Sequence, residues 1–410
     1  MLRWLLNITK SEKMPLRLSH PLVRPDLIHP DARMVVNRLH QQGHTAYIVG
    51  GAVRDLLLNR VPKDFDVATS AHPNEVRRLF RYSIIIGRRF RLVHVRFGRQ
   101  KVVEVATFRS HHGQDAGGGP VRDDNVFGTE REDAFRRDFT LNALFYDLIN
   151  NQVVDYVGGL KDLKERRIRC IGDPLERLPE DPVRILRAVK FSAKYGLSID
   201  SGLEKSMARF MDRIHQCSNR RLFEELLKIL KSGCLAPFVR KSQEVGFLQH
   251  YLPFLHKLNA RDPAYLMRVA EACDESVKQE HLGPSFAFSL LLWPEIKRLR
   301  LQTHDLQVAI RSAIQEFCQD YSISRADKFI MRDLLSTKLR LDYHLERFQE
   351  GKPVPFRRLH SLPDLAYALE FYRVVEGIDS ADLQAYEFWK NRLERRFDDN
   401  RRAPLARRPL

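Results

Sequence analysis

Asp64 and Asp66 stand two apart in the stretch 46–69, AYIVGGAVRDLLLNRVPKDFDVAT. On an extended segment alternate side chains point to one face, so the two carboxylates share it, and their mutual repulsion calls for a cation. Upstream, Gly50-Gly51 interrupts an apolar run and leads into residues of helical apolar spacing that include Arg54 and Asp55. Paired glycines let the backbone approach a bulky group, and the helix start behind them offers free N–H groups to phosphate. A D-x-D or a Gly-Gly alone is usually an ordinary turn. In this order and this close together they point to a nucleotide site with metal-binding carboxylates.

Other residues could join that chemistry. Glu104 alternates with Val103 and Val105, so it faces away from them. Such a glutamate usually meets solvent, yet a neighbouring strand would bring it to the aspartates as a third carboxylate. The segment 133–147, DAFRRDFTLNALFYD, gathers Arg136, Arg137, Asp138 and Asn142 on apolar spacing that reads as a helix from Ala134 to Tyr146. On composition alone it is a capped amphipathic helix with surface ion pairs. The segment 180–195, EDPVRILRAVKFSAKY, opens with Asp181 as N-cap and Pro182 at the first helical position. Arg184 and Arg187, three apart, share one face beside Leu186, Val189 and Phe191. His111-His112 resembles a metal pair only superficially, because neighbours on an extended chain face opposite ways. His304-Asp305 reads as a helix-start cap after Thr303.

These residues need elements to position them. Residues 1–30, with four prolines, read as an irregular lead-in. Asp31 caps a helix that stops at Gly43, Ala46–Val49 is a buried strand, and Ala52–Leu58 is a helix. A short strand carries Asp64 and Asp66. A helix over 74–80 is followed by strands at 83–86, 91–97 and 101–107, with turns at Gly87 and Gly98. The loop from Gly113 to Pro120 reads as surface, and residues 153–171 as strand, Gly-Gly turn, small helix and strand. From Leu203 to about Trp389 the pattern is helical, broken at Pro253, Pro263, Pro284, Pro294 and Pro353. The fold class expected is α+β: a head with a small mixed β-sheet and helices, then an all-α neck, body and C-terminal helical region. The boundaries are 1–30 irregular lead-in, 31–172 catalytic head, 173–235 neck with base-reading and RNA-binding helices, 236–395 all-α body and C-terminal RNA-binding region, and 396–410 basic disordered tail.

The chain of 410 residues carries a net charge of +17, which implies a polyanionic partner, nucleic acid or an acidic membrane surface. Arginine pairs at 88–89, 136–137, 220–221 and 395–396 suit the bidentate grip on RNA phosphates. Five widely spaced cysteines without C-x-x-C spacing read as reduced, mostly buried thiols of a cytoplasmic protein, with no zinc and no disulfide expected. The apolar N-terminal MLRWLLNITK is a poor signal peptide, and no apolar stretch is long enough to span a bilayer.

The pattern GGAVRD followed by DFD resembles the head of the class II nucleotidyltransferases, which comprise bacterial poly(A) polymerases and CCA-adding tRNA nucleotidyltransferases. The segment RRDFTLNAL is similar to a second motif of that family, and EDPVR to a third. The resemblance implies transfer of a nucleoside monophosphate to an RNA 3'-hydroxyl without a template, by two Mg²⁺ ions. It implies that Asp64 and Asp66 hold metal, that Glu104 or Asp138 is the third catalytic carboxylate, and that Gly50, Gly51, Arg54 and Arg137 hold phosphates. Asp138 lies either on the ribose or in the acidic set. Asp181 and Arg184 would read the base edge in place of a template nucleotide, with Arg187 on base or phosphate. The segment 85–95, IIGRRFRLVHV, resembles the signature of the poly(A) polymerase branch, which implies ATP as substrate and a role in RNA polyadenylation and decay. The alternatives are CCA addition to tRNA and an inactive RNA-binding protein, the latter opposed by the intact Asp64, Asp66, Arg137 and Asp138. Expected partners are RNA 3' ends of mRNA, small RNA or tRNA, with delivery by RNA-decay machinery or an RNA chaperone left open; a monomer is expected. Departures from the family are a short basic tail and Leu178-Pro179 just before Glu180.

Overall fold

A computed structural model describes residues 14–87, 91–98, 101–110, 126–279, 282–303, 305–362, 364–380 and 382–393, Asp320 by its backbone alone. The expectations for Arg88-Arg89, His111-His112, the 113–120 loop, His304 and the tail lie outside the described residues. The chain divides into two compact units, one formed by Met1–Glu180 with Gly196–Met207, the other by Asp181–Tyr195 with Ala208–Leu410.

The first unit contains β1 (Leu16–Leu18), α1 (Pro30–Gln41), β2 (Ala46–Val49), α2 (Gly51–Leu57), β3 (Asp66–Thr69), α3 (Pro73–Leu79), β4 (Ser83–Ile86), β5 (Leu92–Phe97) and β6 (Lys101–Thr107). It continues with α4 (Glu130–Phe135), β7 (Leu144–Asp147), β8 (Gln152–Asp155), α5 (Gly159–Lys164), β9 (Arg167–Ile168) and α6 (Pro174–Glu180). Eight strands form one sheet in the order β1-β8-β7-β2-β3-β6-β5-β4. All neighbours are antiparallel except β3 and β6, which run parallel with Val67 opposite Val105. The sheet is therefore mixed, as the alternation and the Gly breaks imply. Val49 and Tyr47 of β2 join Ala68, Phe108, Ala134 and Phe145 in an apolar cluster, with Tyr47 and Phe145 edge to face at 5.8 Å.

Four local expectations are corrected. Within the lead-in, Leu16–Leu18 pairs with β8, a strand too short to show alternation. His29, not Asp31, caps α1: its ring accepts from the Asp31 N–H, and Pro30, lacking a donor, takes the first turn. β3 begins at Asp66, so Asp64 precedes the strand instead of sitting in it. The segment 134–146 is not one helix: α4 ends at Phe135, a 3-10 turn covers Thr140–Asn142, and Leu144–Asp147 is β7, flanked by β8 and β2. All four β7 residues are buried, and a strand covered on both faces loses the alternation that distinguishes it from a helix.

The second unit opens with α7 (Val183–Tyr195), after which β10 (Ser198–Ile199) and α8 (Ser201–Phe210) belong largely to the first; β10 pairs in parallel with β9. The second unit then runs through α9 (Asn219–Lys231), α10 (Leu235–Glu244), α11 (Leu248–Tyr251), α12 (Pro253–Arg261) and α13 (Pro263–Val277). It ends with α14 (Pro284–Arg300), α15 (Leu306–Asp320), α16 (Arg325–Gln349), α17 (Phe356–His360), α18 (Leu365–Asp379) and α19 (Gln384–Leu393). Pro253, Pro263 and Pro284 occupy first-turn positions, where a missing N–H costs nothing. Pro294 does not break the chain: it lies inside α14, where buried Leu292, Trp293 and Ile296 hold the helix through it. Among the described residues no helix is long and apolar enough to cross a membrane, and all five cysteines are free thiols.

Candidate active site

The strand β2 delivers Gly50 to the start of α2. Gly50 has φ 64°, and a Cβ added there would lie 3.2 Å from Arg137 Nη1, so the left-handed turn and the close approach both require glycine. Its N–H donates to Leu144 O at 3.0 Å, tying the turn to β7. Gly51 begins the helix.

The parallel register of β3 and β6 sets Glu104 alongside Asp66, and the antiparallel register of β5 sets His94 opposite Glu104. His94 Nε2 lies 3.2 Å from Glu104 Oε1. Burial, then the Glu104 and Asp64 carboxylates, push Asp66 up to about 6 against the pull of Arg137. Asp66 is nonetheless solvent-accessible at the strand start. Among the described residues no three His, Cys, Asp or Glu side chains are drawn together as a ready metal site. The donor set still fits a hard divalent cation: its donors are carboxylate oxygens, and their repulsion is what such an ion relieves.

Behind this edge lies a second constellation. Asp133, on α4 and 1% exposed, accepts from Arg136 Nε and Nη2 at 2.8 and 2.6 Å on one oxygen, and from Arg137 Nε and Nη2 at 3.1 and 2.8 Å on the other. Arg137 Nη1 also reaches Asn142 O at 3.2 Å, and the guanidinium lies 5.4 Å over the Phe145 ring. Arg177 of α6, itself buried, donates to the carbonyls of Arg136 and Arg137 at 2.8 and 3.1 Å. Asp138 is buried; its Oδ1 accepts from Phe139 N at 2.8 Å and Asn142 Nδ2 at 3.1 Å. Asn142 Oδ1 in turn accepts from Arg54 Nη1 at 2.5 Å, while Arg54 Nε and Nη2 grip Asp55 Oδ1 at 2.9 and 2.7 Å. Arg54 is thus a buried strut, linked through Asn142 to Asp138. Gly159 allows the closing contact: a Cβ there would fall 2.3 Å from Thr140 O.

The residues expected at the start of the Asp181 helix lie in the second unit. Asp181 Oδ2 accepts from Arg221 Nη2 of α9 at 2.8 Å, whereas Asp181 Oδ1 is buried and has no hydrogen-bond partner among the described residues. Arg184 and Arg187 follow at one-turn spacing on α7, both half-buried, with Arg187 5.7 Å over the Phe191 ring. Lys190 on the same helix is paired with Glu225 of α9. Burial outweighs that partner and draws Lys190 down to about 8. Burial would raise Glu225, but Lys190 and Lys228 together bring it to about 2.

Sequence reasoning did not single out Asp133, Arg177, Arg221 or Glu225 as site residues. Asp133 carried a local signal in its three- and four-residue spacing from Arg136 and Arg137. Arg177, Arg221 and Glu225 take their decisive partners from 35 or more residues away.

A family model described as "Poly A polymerase head domain" matches residues 46–169, and one described as "Probable RNA and SrmB- binding site of polymerase A" matches residues 196–258. Over 349 residues the chain is 37% identical to Poly(A) polymerase I of Salmonella typhimurium, an alignment covering 79% of this chain and 75% of that protein. Its similarity to the CCA-adding enzyme of Lactococcus lactis, 39% over 201 residues, covers 48% of this chain and 50% of that enzyme. The fold is similar to the crystal structure of Bacillus stearothermophilus CCA-adding enzyme in complex with CTP, with TM-score 0.64 and 25% identity over 93% of this chain and 83% of that one.

Proposed function

The chain belongs to the bacterial poly(A) polymerase I family and is a nucleotidyltransferase, and from that premise we propose that it adds AMP from ATP to RNA 3'-hydroxyl ends without a template, releasing pyrophosphate, in RNA polyadenylation and decay. The observation that carries the choice over CCA addition is the reach of the similarity: 79% of the chain toward a poly(A) polymerase against 48% toward a CCA-adding enzyme.

Asp64 and Asp66 are the residues that would hold Mg²⁺, with Glu104 as the third carboxylate, a role supported by its effect on Asp66. When bound, Mg²⁺ lowers the pKa of the RNA 3'-hydroxyl and offsets charge on the departing pyrophosphate, and two ions are expected. Gly50 and Gly51 let the triphosphate approach the backbone, and Arg137, fixed by Asp133, presents positive charge to it. Arg54 acts on this site through Asn142, keeping Asp138 oriented toward the ribose hydroxyls. The base is read by Asp181 and Arg184: Arg221 occupies one oxygen of Asp181, so the other is the acceptor left for an exocyclic amine. Arg187 adds charge to the same helix face.

The test is 3'-end extension by the purified protein with Mg²⁺ and each nucleoside triphosphate in turn, on an unstructured RNA and on a tRNA lacking its CCA end. Long ladders from ATP on the unstructured RNA are expected. Addition limited to C, C and A on the tRNA overturns the reading in favour of CCA addition, and no extension of either substrate overturns both.

A further inference from the structure

The segment 85–95 supplies the end of β4 and the start of β5. It sets His94 in the middle of β5, and neither the phosphate ligands nor the base-reading residues use this histidine. Alternation along the strand turns His94 to the face shared by Leu92 and Arg96, away from buried Val93 and Val95. Across the sheet its neighbours on that face are Ile84 of β4 on one side and Glu104 of β6 on the other. Along β6 the residues two before and two after Glu104 are Val102 and Ala106, both apolar. His94 and Glu104 therefore meet as two polar groups in apolar surroundings. His94 Nε2 lies 3.2 Å from Glu104 Oε1, and neither side chain has another hydrogen bond or ion pair among the described residues.

The same face continues from Glu104 to Asp66, because the parallel register of β3 and β6 sets those two side by side. At the spacing of neighbouring strands, Asp66 and His94 stand about 10 Å apart with Glu104 between them. The two sides of Glu104 thus differ: toward β5 it meets an imidazole nitrogen, and toward β3 a second carboxylate, on which it presses. A glutamate side chain that is 48% exposed keeps rotamer freedom that a ligand must remove on binding. An imidazole N–H against one oxygen removes that freedom beforehand and leaves the other oxygen to the Asp66 side.

We propose that His94 is a positioning residue that holds Glu104 by Oε1, leaving Oε2 for the divalent cation that Asp64 and Asp66 would hold. Metal-ligating carboxylates are fixed by hydrogen-bonding partners of this kind, and loss of such a partner costs roughly 10- to 100-fold in metal affinity or activity. The inference rests on the reading of Glu104 as the third carboxylate. It gives the histidine of the 85–95 segment a part in the metal site, apart from the choice of base.

The test measures binding of Mn²⁺ alone to the full-length protein from the loss of the free-ion EPR signal, so that no turnover is needed. Wild type is compared with His94→Leu, His94→Gln, Glu104→Gln and the double variant His94→Leu with Glu104→Gln. His94→Leu should weaken Mn²⁺ binding about tenfold, the low end of the range because both side chains keep contact with solvent. His94→Gln, whose amide can still donate to Oε1, should recover most of that loss. With Glu104 already replaced, His94→Leu should change the affinity by less than about twofold, a coupling that a merely structural histidine does not produce. The ratio of ATP to CTP incorporation on an unstructured RNA should be the same in wild type and His94→Leu. An unchanged Mn²⁺ affinity in His94→Leu, or an equal loss with and without Glu104, overturns the proposal. A relaxed ATP-to-CTP ratio with Mn²⁺ affinity intact overturns it as well and moves His94 to base selection. No Mn²⁺ binding by the wild type, or full affinity in Glu104→Gln, overturns instead the reading of Glu104 as a metal ligand on which the inference stands.

Discussion

Asp133 and Asp66 lie in the same unit, and their surroundings are opposite. Asp133 is sealed from solvent and receives four guanidinium hydrogen bonds, two from Arg136 and two from Arg137. Burial would raise it, but Arg137 and Arg136 hold it below the usual carboxylate range. Asp66 faces solvent, shares its surroundings with Glu104 and Asp64, and is pushed up to about 6. A buried acid compensated within the fold is a frame. An accessible acid crowded by like charge is a candidate site, where an outside cation would supply the compensation.

The difference makes stability and activity separable. Replacing Asp66 with Asn should lower AMP incorporation by roughly 10³-fold, the scale of removing a group that stabilises charge in the transition state. Its urea midpoint should stay equal to the wild type or rise, because repulsion is relieved; a marked loss of stability would place Asp66 in the frame. Asp133→Asn should do the reverse in emphasis. It strips two half-buried guanidiniums of their buried partner and should cost about 2 kcal/mol in urea unfolding, with the KM for ATP raised as Arg137 loses its anchor.

Glu225 in the second unit belongs with Asp133 as a compensated acid, and pH can show it. Its folded-state pKa, about 2, lies below the ordinary 4.5, so its contribution is complete above about 4.5 and is lost as pH falls toward 2. Glu225→Gln should therefore destabilise by about 2 kcal/mol at neutral pH, and the gap from the wild type should narrow on acidification below 4.5. Urea midpoints of the two proteins across that range give the measurement. The smallest effect is expected at Gly50→Ala. A non-glycine residue at φ 64° costs about 1 kcal/mol, and its Cβ would press on Arg137 Nη1, so a modest stability loss should accompany a rise in KM for ATP.

The distribution of what sequence reveals follows the same division. The accessible acids were legible: Asp64 and Asp66 stand in a short pattern beside paired glycines, and Glu104 alternates among valines. What brings Glu104 to Asp66 is the parallel register of β3 and β6, strands separated by a hairpin and a helix, and no local pattern encodes it. The frame was less visible. Arg54 reads naturally as a phosphate ligand behind Gly50-Gly51, yet its hydrogen bond to Asn142 spans 88 residues. Arg177 supports the carbonyls of Arg136 and Arg137 from some 40 residues away. β7 was hidden for a different reason, because burial on both faces erased its alternation, and the helical reading of 134–146 followed. The later prolines show local rules meeting packing: those at helix starts act as boundaries, whereas Pro294 is carried within α14.

We propose that Asp66 and its neighbours are held under a mutual repulsion that a cation relieves. The most direct measurement is the thermal unfolding midpoint as a function of Mg²⁺, with ATP absent and present, for the wild type and Asp66→Asn. Mg²⁺ with ATP should raise the wild-type midpoint, the variant should gain little, and without Mg²⁺ the variant should be at least as stable as the wild type. An equal rise in both proteins, or a variant less stable without the metal, would contradict it.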